Sequence, residues 1–373
     1  MMRKFKIALA LATALTSVQA LEFGTMGSQA FGMGGVGVAI KHSPWGLYYN
    51  PSLIAADDGF KVGLHLGLQA KSHNFFNLFN RNFNNLNYDD LMEMTNLLQD
   101  SRINLVNQDG AVLQLPDFGI GALAVGAFFN ISANGVAKAN IGNVINGSAT
   151  ADSIDLETNY SVLTLLEVPL GYAFEFETAA GDISIGTAVK YMNFSGTSGN
   201  FQIGNNTNLG NAFKDLLKVD LGTSASNVGV DLGITYEPID WFSIGVVGKY
   251  LNAPSFEVGN KTYTIDPQAR AGLAFNFDFF SIGMDADLTA NKALGSNVKS
   301  QMIAVGSALD FSLFALRAGI ATDLQHTDDL IFSLGLGITF LDIGIQFGKK
   351  TNPLNGMPMP DYLALQVGAG FSF

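Results

Sequence analysis

"LIFSLGLGIT" (residues 330–339), followed by "LDIGIQFG" (residues 341–348), decides the fold. Leu330, Phe332, Leu334, Leu336 and Ile338 alternate with Ile331, Ser333, Gly335, Gly337 and Thr339. Leu341, Ile343, Ile345 and Phe347 alternate with Asp342, Gly344, Gln346 and Gly348. A period of two puts each set on its own face of an extended strand. One face is broad, apolar and free of charge; the other is mostly small or polar. A soluble sandwich also alternates, but charge solvates its outer face and glycine weakens its strands. Here the small polar face suits a lumen in which something packs closely, and the apolar face suits lipid.

The same split recurs along the chain, in 61–69, 183–192, 228–236, 268–276, 280–288 and 362–373. Fourteen strands are predicted: 60–70, 109–116, 119–130, 158–177, 182–194, 227–237, 241–251, 266–277, 279–288, 299–309, 312–321, 329–339, 341–348 and 361–373. The breaks near 117, 179, 239, 278, 310 and 340 are short, and those between them are longer. Tight periplasmic turns alternating with longer external loops are the rhythm of outer-membrane barrels. The expected fold is all-β, a transmembrane antiparallel β-barrel of about 14 strands over residues 60–373. Tyr88–Gln99 and Asn211–Lys218 carry apolar residues at helical spacing. Such helices either cap the barrel mouth or offer an apolar landing surface.

Composition points the same way. Only 14% of the 373 residues are charged and 48% are hydrophobic, against about 25% charged in a typical soluble domain. After residue 20 no run of about 18 apolar residues forms a membrane helix. A closed barrel is the other structure that satisfies its backbone in lipid. Residues 1–20 read as a secretory signal peptide, with basic Arg3, Lys4 and Lys6, an apolar stretch from Ile7 to Val18, and Val18-Gln19-Ala20 as a cleavage site. The expected location is the cell outer membrane, with membrane lipid as the surrounding partner. There is no cysteine, which removes disulfides, thiolate nucleophiles and Cys-based metal sites. A net charge of −12 argues against nucleic acid as a partner, since phosphate contacts need clustered Lys and Arg.

Near the start, "FGMGGVGVAIKHSPWGLYYNPSL" (residues 31–53) holds Gly32, Gly34 and Gly37 in a G-x-G-x-x-G spacing. A dinucleotide site needs a strand before these glycines and a helix after them. Neither is present, and Pro44 stops any helix soon after. The alternative is steric: glycine lets a threaded segment run close to lumen-facing backbone. Residues 21–59 are thus expected as an N-terminal plug, its ligand-lining residues being Phe31, Trp45, Tyr48, Tyr49, Asn50 and Pro51. A loose periplasmic tail is the other reading.

No catalytic set is visible, and neither cofactor nor metal site is expected. His42, His65, His73 and His326 lack any metal-ligand spacing, and no G-x-S-x-G elbow occurs. His65 falls on the lumen face as a hydrogen-bonding filler. Asp285 and Asp287 point the same way on one strand, and buried carboxylates need compensation. Arg270 or Arg317 is the expected partner, in ion pairs that hold the plug; a polar conduction path is the rival.

The stretches "FGMGGVGVAI" and "WGLYYNPSLIA" resemble the N-terminal signature of FadL-type outer-membrane transporters and of the related TraF-like conjugal transfer barrels. Asn50-Pro51-Ser52 matches an Asn-Pro-Ala-like element, with serine in place of the usual alanine. "PQARAGLAFN", "FSIGMDADLT", "ALRAGIATDL" and "SLGLGI" are similar to the TraF-like pattern. The resemblance implies a fourteen-stranded barrel with an N-terminal hatch, and uptake of a hydrophobic small molecule of fatty-acid or hydrocarbon type. It equally implies, as the alternative, a non-transporting component of a conjugation, secretion or envelope-assembly system. The closing Phe371 and Phe373 resemble the signal read by the barrel-assembly machinery.

Overall fold

The computed structural model describes residues 24–73, 102–141, 154–203, 223–292, 299–311, 313–354 and 357–372. In chain order the strands are β1 (Lys61–His73), β2 (Arg102–Leu115), β3 (Ala122–Ile141), β4 (Ile154–Thr178), β5 (Gly181–Ile203), β6 (Ser224–Ile239) and β7 (Phe242–Lys249). A small hairpin follows, β8 (Ser255–Val258) and β9 (Lys261–Thr264), then β10 (Gln268–Asn276) and β11 (Phe280–Asp287). Next come the hairpin β12 (Asn291–Lys292) and β13 (Lys299–Ser300), then β14 (Met302–Asp310), β15 (Phe314–Asp323), β16 (His326–Ile338) and β17 (Leu341–Gly348). A last hairpin, β18 (Thr351–Leu354) and β19 (Met357–Pro360), precedes β20 (Tyr362–Ser372). Outside the three hairpins, fourteen strands form one closed antiparallel barrel. β20 closes on β1, with Ser372 opposite Lys61 and Tyr362 opposite Lys71.

Side-chain parity explains why these segments form a barrel. Leu64, Leu66 and Leu68 on β1, Leu232 and Ile234 on β6, Leu334 and Ile338 on β16, and Leu365 and Val367 on β20 are all exposed. Their neighbours Gly63, His65, Asp231, Gly233, Ser333, Gln346 and Gln366 are buried or half-buried. An apolar face left outside a closed ring belongs to lipid. The turns that follow β2, β4, β6, β10, β14 and β16 all lie at one end of the barrel. Aromatic rings collect there: Trp241 stacks on Phe275 and Phe277, Phe279 on Phe311, and Phe340 on Phe371. This is the girdle expected at a membrane–water boundary.

All fourteen predicted strands are present, but several run longer than read. β3, β4 and β5 have 20, 25 and 23 residues. Much of 131–157 and 195–226, taken above as loops, is paired strand, with Asn134 opposite Ser161 and Thr164 opposite Ser195. β2 begins at Arg102 rather than 109. Beyond the apolar belt both faces meet polar surroundings, so alternation fades while the backbone ladder continues. The signal peptide, the helical readings at 88–99 and 211–218, and Phe373 lie outside the described residues.

Register shifts interrupt the β6–β7 ladder between Tyr236 and Ile239 and the β15–β16 ladder between Thr322 and Asp323, and the β3–β4 ladder has a gap without a change of register. Across the β3–β4 seam Val125 faces Leu170 and the pairing resumes at Phe128 and Glu167. Gly126 and Ala127 are left unpaired against Val168 and Pro169. Pro169 has no N–H to give a neighbour.

Ahead of β1, residues 26–40 and 45–56 are buried. They include three single-turn helices, α1 (Ser28–Gly32), α2 (Gly46–Tyr49) and α3 (Leu53–Ala56). α1 ends where Gly34 and Gly35 take the left-handed conformation, with φ of 78° and 96°, which side-chain-bearing residues rarely adopt.

Candidate functional site in the lumen

The N-terminal segment touches the inner wall with almost no gap. A Cβ on Gly306 or Gly319 would collide with the backbone of Met33, and one on Gly186 with the backbone of Pro51. The converse holds too: a Cβ on Gly32 would strike Arg317 and lie 3.2 Å from the Cα of Gly335. Glycine on both partners therefore lets two backbones approach to a distance that any side chain forbids.

Hydrogen bonds from the wall satisfy this segment's irregular backbone. Asp285 Oδ2 accepts from the N–H groups of Gly37 and Val38 at 2.8 and 3.0 Å. Gln346 Nε2 donates to the Phe31 carbonyl at 2.8 Å, and Ser243 Oγ to that of Ala39 at 2.7 Å. Lys249 Nζ donates to the Tyr48 carbonyl at 3.0 Å, and Gln114 Nε2 to those of Ile54 and Asp57 at 3.0 and 2.9 Å. Asn50, fully buried, ties both halves together. Its Nδ2 donates to the Val38 carbonyl at 2.9 Å and to Thr235 Oγ1 at 3.2 Å, and its Oδ1 accepts from Ser52 Oγ at 2.7 Å. Buried backbone groups without such partners would be costly.

The aromatic residues gather on one side. Tyr48 meets Phe128 of β3 edge-to-face at 5.1 Å, and Trp45 lies 6.2 Å from the same ring. Trp45 also packs edge-on to His65 at 5.9 Å, and Phe31 lies 6.4 Å from that imidazole. Tyr49 OH accepts from the Met26 N–H at 2.9 Å. Burial pushes both the Tyr48 and Tyr49 phenols upward, so both stay neutral. Pro51 stacks its backbone over Gly186. The cluster of Trp45, Tyr48, Leu47, Ile54 and Phe128 lies just inside the interrupted seam. His65 accepts a hydrogen bond from the Gly27 N–H at 3.1 Å.

Charges lie mostly wall to wall. Arg270 Nε donates to Asp287 Oδ1 at 2.6 Å. Arg317 instead reaches Asp310, at 3.0 Å, and Asp342, away from Asp285 and Asp287. Asp285 binds backbone rather than a cation. Two ion pairs do involve the N-terminal segment, Lys61 with Asp57 at 2.6 Å and Lys41 with Glu237. Amide and carboxylate contacts to backbone thus outnumber ion pairs between segment and wall. Deeper toward the long-loop end, Lys190 bridges Glu167 at 3.0 Å and Asp231 at 3.1 Å, under the ring of Tyr250. Tyr250 OH donates to Glu167. Above them Leu163, Leu165, Met192, Phe194, Phe256 and Ile265 form a second apolar cluster, roofed by β8–β9. Glu167 went unread because it sits in the apolar run "TLLEVPL"; its parity with Leu165 and Pro169 marks it as lumen-facing. Among the described residues no group of three or more His, Asp or Glu could hold a metal.

Fold and lumen together define a fourteen-stranded transmembrane β-barrel of the outer-membrane kind, with residues of the stretch 24–56 in contact with its inner wall. The family model described as F plasmid transfer operon, TraF, protein matches residues 47–287, and the chain belongs to that family. No curated protein matches it. Among solved structures it is similar to the CymD monoaromatic hydrocarbon channel, with a TM-score of 0.52 and 18% identity over 95% of this chain and 98% of that one. It is similar also to the Pseudomonas putida toluene transporter TodX, with a TM-score of 0.52 and 16% identity over 94% of this chain and 98% of that one. At these identities the likeness establishes the shared fold.

Proposed function

We propose that the protein is an outer-membrane channel for small hydrophobic molecules, with the segment before β1 acting as its hatch. The long-loop end would face outward and the short turns the periplasm. A hydrophobic molecule is captured by the apolar cluster under β8–β9 and moves down to Trp45, Tyr48 and Phe128. The observation that carries this reading is that aromatic cluster, placed against the unpaired stretch of the β3–β4 seam. Below it the ion pairs of Lys61 and Lys41 disfavour an apolar passenger. A shift of the residues around Asn50 and Pro51, or a sideways step through the seam, avoids them. The similar barrels that are named as toluene and monoaromatic hydrocarbon channels support the same cargo class. The test is binding of labelled toluene and of a labelled fatty acid to the purified protein in detergent. Saturable binding of either, weakened by Trp45→Ala, is expected; no saturable binding of both would overturn the reading.

The family description supports a second reading, an envelope component of a transfer or secretion apparatus that carries no cargo. It predicts co-purification with other envelope proteins from detergent extracts and unchanged growth on hydrophobic carbon sources.

A further inference from the structure

Two apolar clusters mark the hydrophobic route, and a row of charge separates them. Along the inner face of β4, Leu163 and Leu165 belong to the outer cluster, and Gly171 lies against Leu47 and Ile54 of the aromatic one. Glu167 stands between. Along β5, Phe194 and Met192 belong to the outer cluster and Ala188 to the aromatic one, with Lys190 between. Asp231 on β6 and Lys249 on β7 continue the row. A passenger moving from one cluster to the other has to cross it.

The row turns its charges on itself. Glu167, Lys190, Asp231 and Lys249 are all buried. Lys190 Nζ bonds Glu167 Oε1 at 3.0 Å and Asp231 Oδ2 at 3.1 Å. Lys249 Nζ donates to the Tyr48 carbonyl at 3.0 Å. The Tyr250 ring, of the outer cluster, covers Lys190 at 3.5 Å, and the Tyr48 ring, of the aromatic cluster, covers Lys249 at 4.1 Å. On the strands beyond, Arg270 is held by Asp287 at 2.6 Å, and Asp285 by the N–H groups of Gly37 and Val38.

A hydrocarbon asks nothing of such a row, since no ion pair has to open for it. A carboxylate of the same size finds each cation already engaged. To gain Lys190 it must displace Glu167 or Asp231, and a buried charge parted from its partner is costly. Of those two, Asp231 also accepts from the Tyr250 N–H at 2.9 Å, so it holds backbone. Glu167 bonds side chains, Lys190 and the Tyr250 hydroxyl. It also stands opposite Phe128 in the β3–β4 ladder, beside the aromatic cluster.

We propose that Glu167 is the specificity-determining residue of the route: by occupying Lys190 it withholds the cation that a carboxylate head needs, so the channel takes uncharged hydrocarbons and rejects carboxylates of equal size. This role rests on the hydrophobic route proposed above and narrows its cargo.

The experiment measures binding of labelled toluene, nitrobenzene and sodium benzoate to the purified full-length protein in detergent near neutral pH. Nitrobenzene has the outline of benzoate without its net charge. The wild-type protein should bind toluene and nitrobenzene, and benzoate at least about tenfold more weakly than nitrobenzene. Glu167→Ala leaves Lys190 short of a partner and makes room for another carboxylate, so affinity for benzoate relative to nitrobenzene should rise at least about tenfold. Glu167→Gln, which keeps the shape of the side chain, should move the ratio in the same direction. Adding Lys190→Met to either variant should return the ratio to its wild-type value, which a merely loosened lumen would not do. Heat-modifiable migration on a gel verifies that each variant is a closed barrel, and should Glu167→Ala fail that check, Glu167→Gln decides. Benzoate bound by the wild type as tightly as nitrobenzene, or a ratio unchanged in the folded Glu167 variants, would overturn this role, while toluene binding would leave the channel reading standing. Binding of none of the three by the wild type would overturn the role and count against the channel as well.

Discussion

Gly319 and Gly370 both sit on barrel strands, yet their surroundings differ. A Cβ at Gly319 runs into Met33 and Gly34 backbone, which cannot swing aside, whereas one at Gly370 meets its nearest atom, in Pro44, at 3.6 Å. Gly319→Ala should therefore cost about 1–3 kcal/mol by overpacking, and Gly370→Ala should stay within about 0.5 kcal/mol. The midpoint of the heat-modifiable gel shift for each variant measures this. Asn50 gives a second residue-scale expectation. Asn50→Ala strands the buried Val38 carbonyl and leaves the Ser52 and Thr235 hydroxyls only each other as partners, at a cost of about 1–3 kcal/mol. Thr235→Val, which removes one partner only, should cost less by the same measurement. The steric use of Gly32 and Gly34 could be read from the sequence, because no strand or helix flanked them in the way a nucleotide loop requires. The role of Asp285 could not. Its partners Gly37 and Val38 are more than 240 residues away in sequence, and a carboxylate beside Asp287 suggests a cation before it suggests a backbone amide.

At the scale of the element, strand parity was legible wherever one face met lipid and the other a crowded lumen. It faded where β3, β4 and β5 extend past the apolar belt, since neither face there is chosen by solvent. The break between β3 and β4 was also out of reach. Pro169 sits in the apolar run "LLEVPL", and only the register reveals that Gly126 and Ala127 stand opposite it without pairing. Val168 and Ala127 are exposed on the outer face, and the chain has no cysteine of its own. Ala127→Cys with Val168→Cys thus places the only two thiols across the seam, where facing residues of an antiparallel pair are about 4.5–5.5 Å apart at Cα and within disulfide reach. Under the sideways-exit reading, oxidation should reduce uptake of labelled toluene at least fivefold, with recovery on reduction. Uptake equal in both states would mean the passenger leaves elsewhere.

For the whole molecule, the two tryptophans report on two solvents. Trp45 is 3% exposed inside the lumen, while Trp241 is 44% exposed in the aromatic girdle. In bilayers containing brominated lipid, Trp241 emission should be quenched and Trp45 emission spared, as single-tryptophan variants Trp45→Phe and Trp241→Phe would separate. Equal quenching would contradict a girdle in lipid with a tryptophan enclosed behind the wall. The sparse charge, the absence of a membrane helix and the sorted turn lengths made this architecture readable at the molecular scale. Arg270 does pair with Asp287 across neighbouring strands, as the sequence suggested, whereas the partners of Arg317, Asp310 and Asp342, could not be read, because no local pattern relates the ends of β14, β15 and β17.

Closure by the first and last strands also sets an order of events during biogenesis. The edge of β1 can be sealed only once β20 exists, so the sheet stays open until that strand is made. An indole and several phenols cannot be drawn through a completed wall. Residues 24–60 must already lie between the two free edges when they zip together. A circular permutant in which residues 24–60 follow β20 would have its last seam available before that segment is made, and should yield a hollow cylinder rather than a filled one.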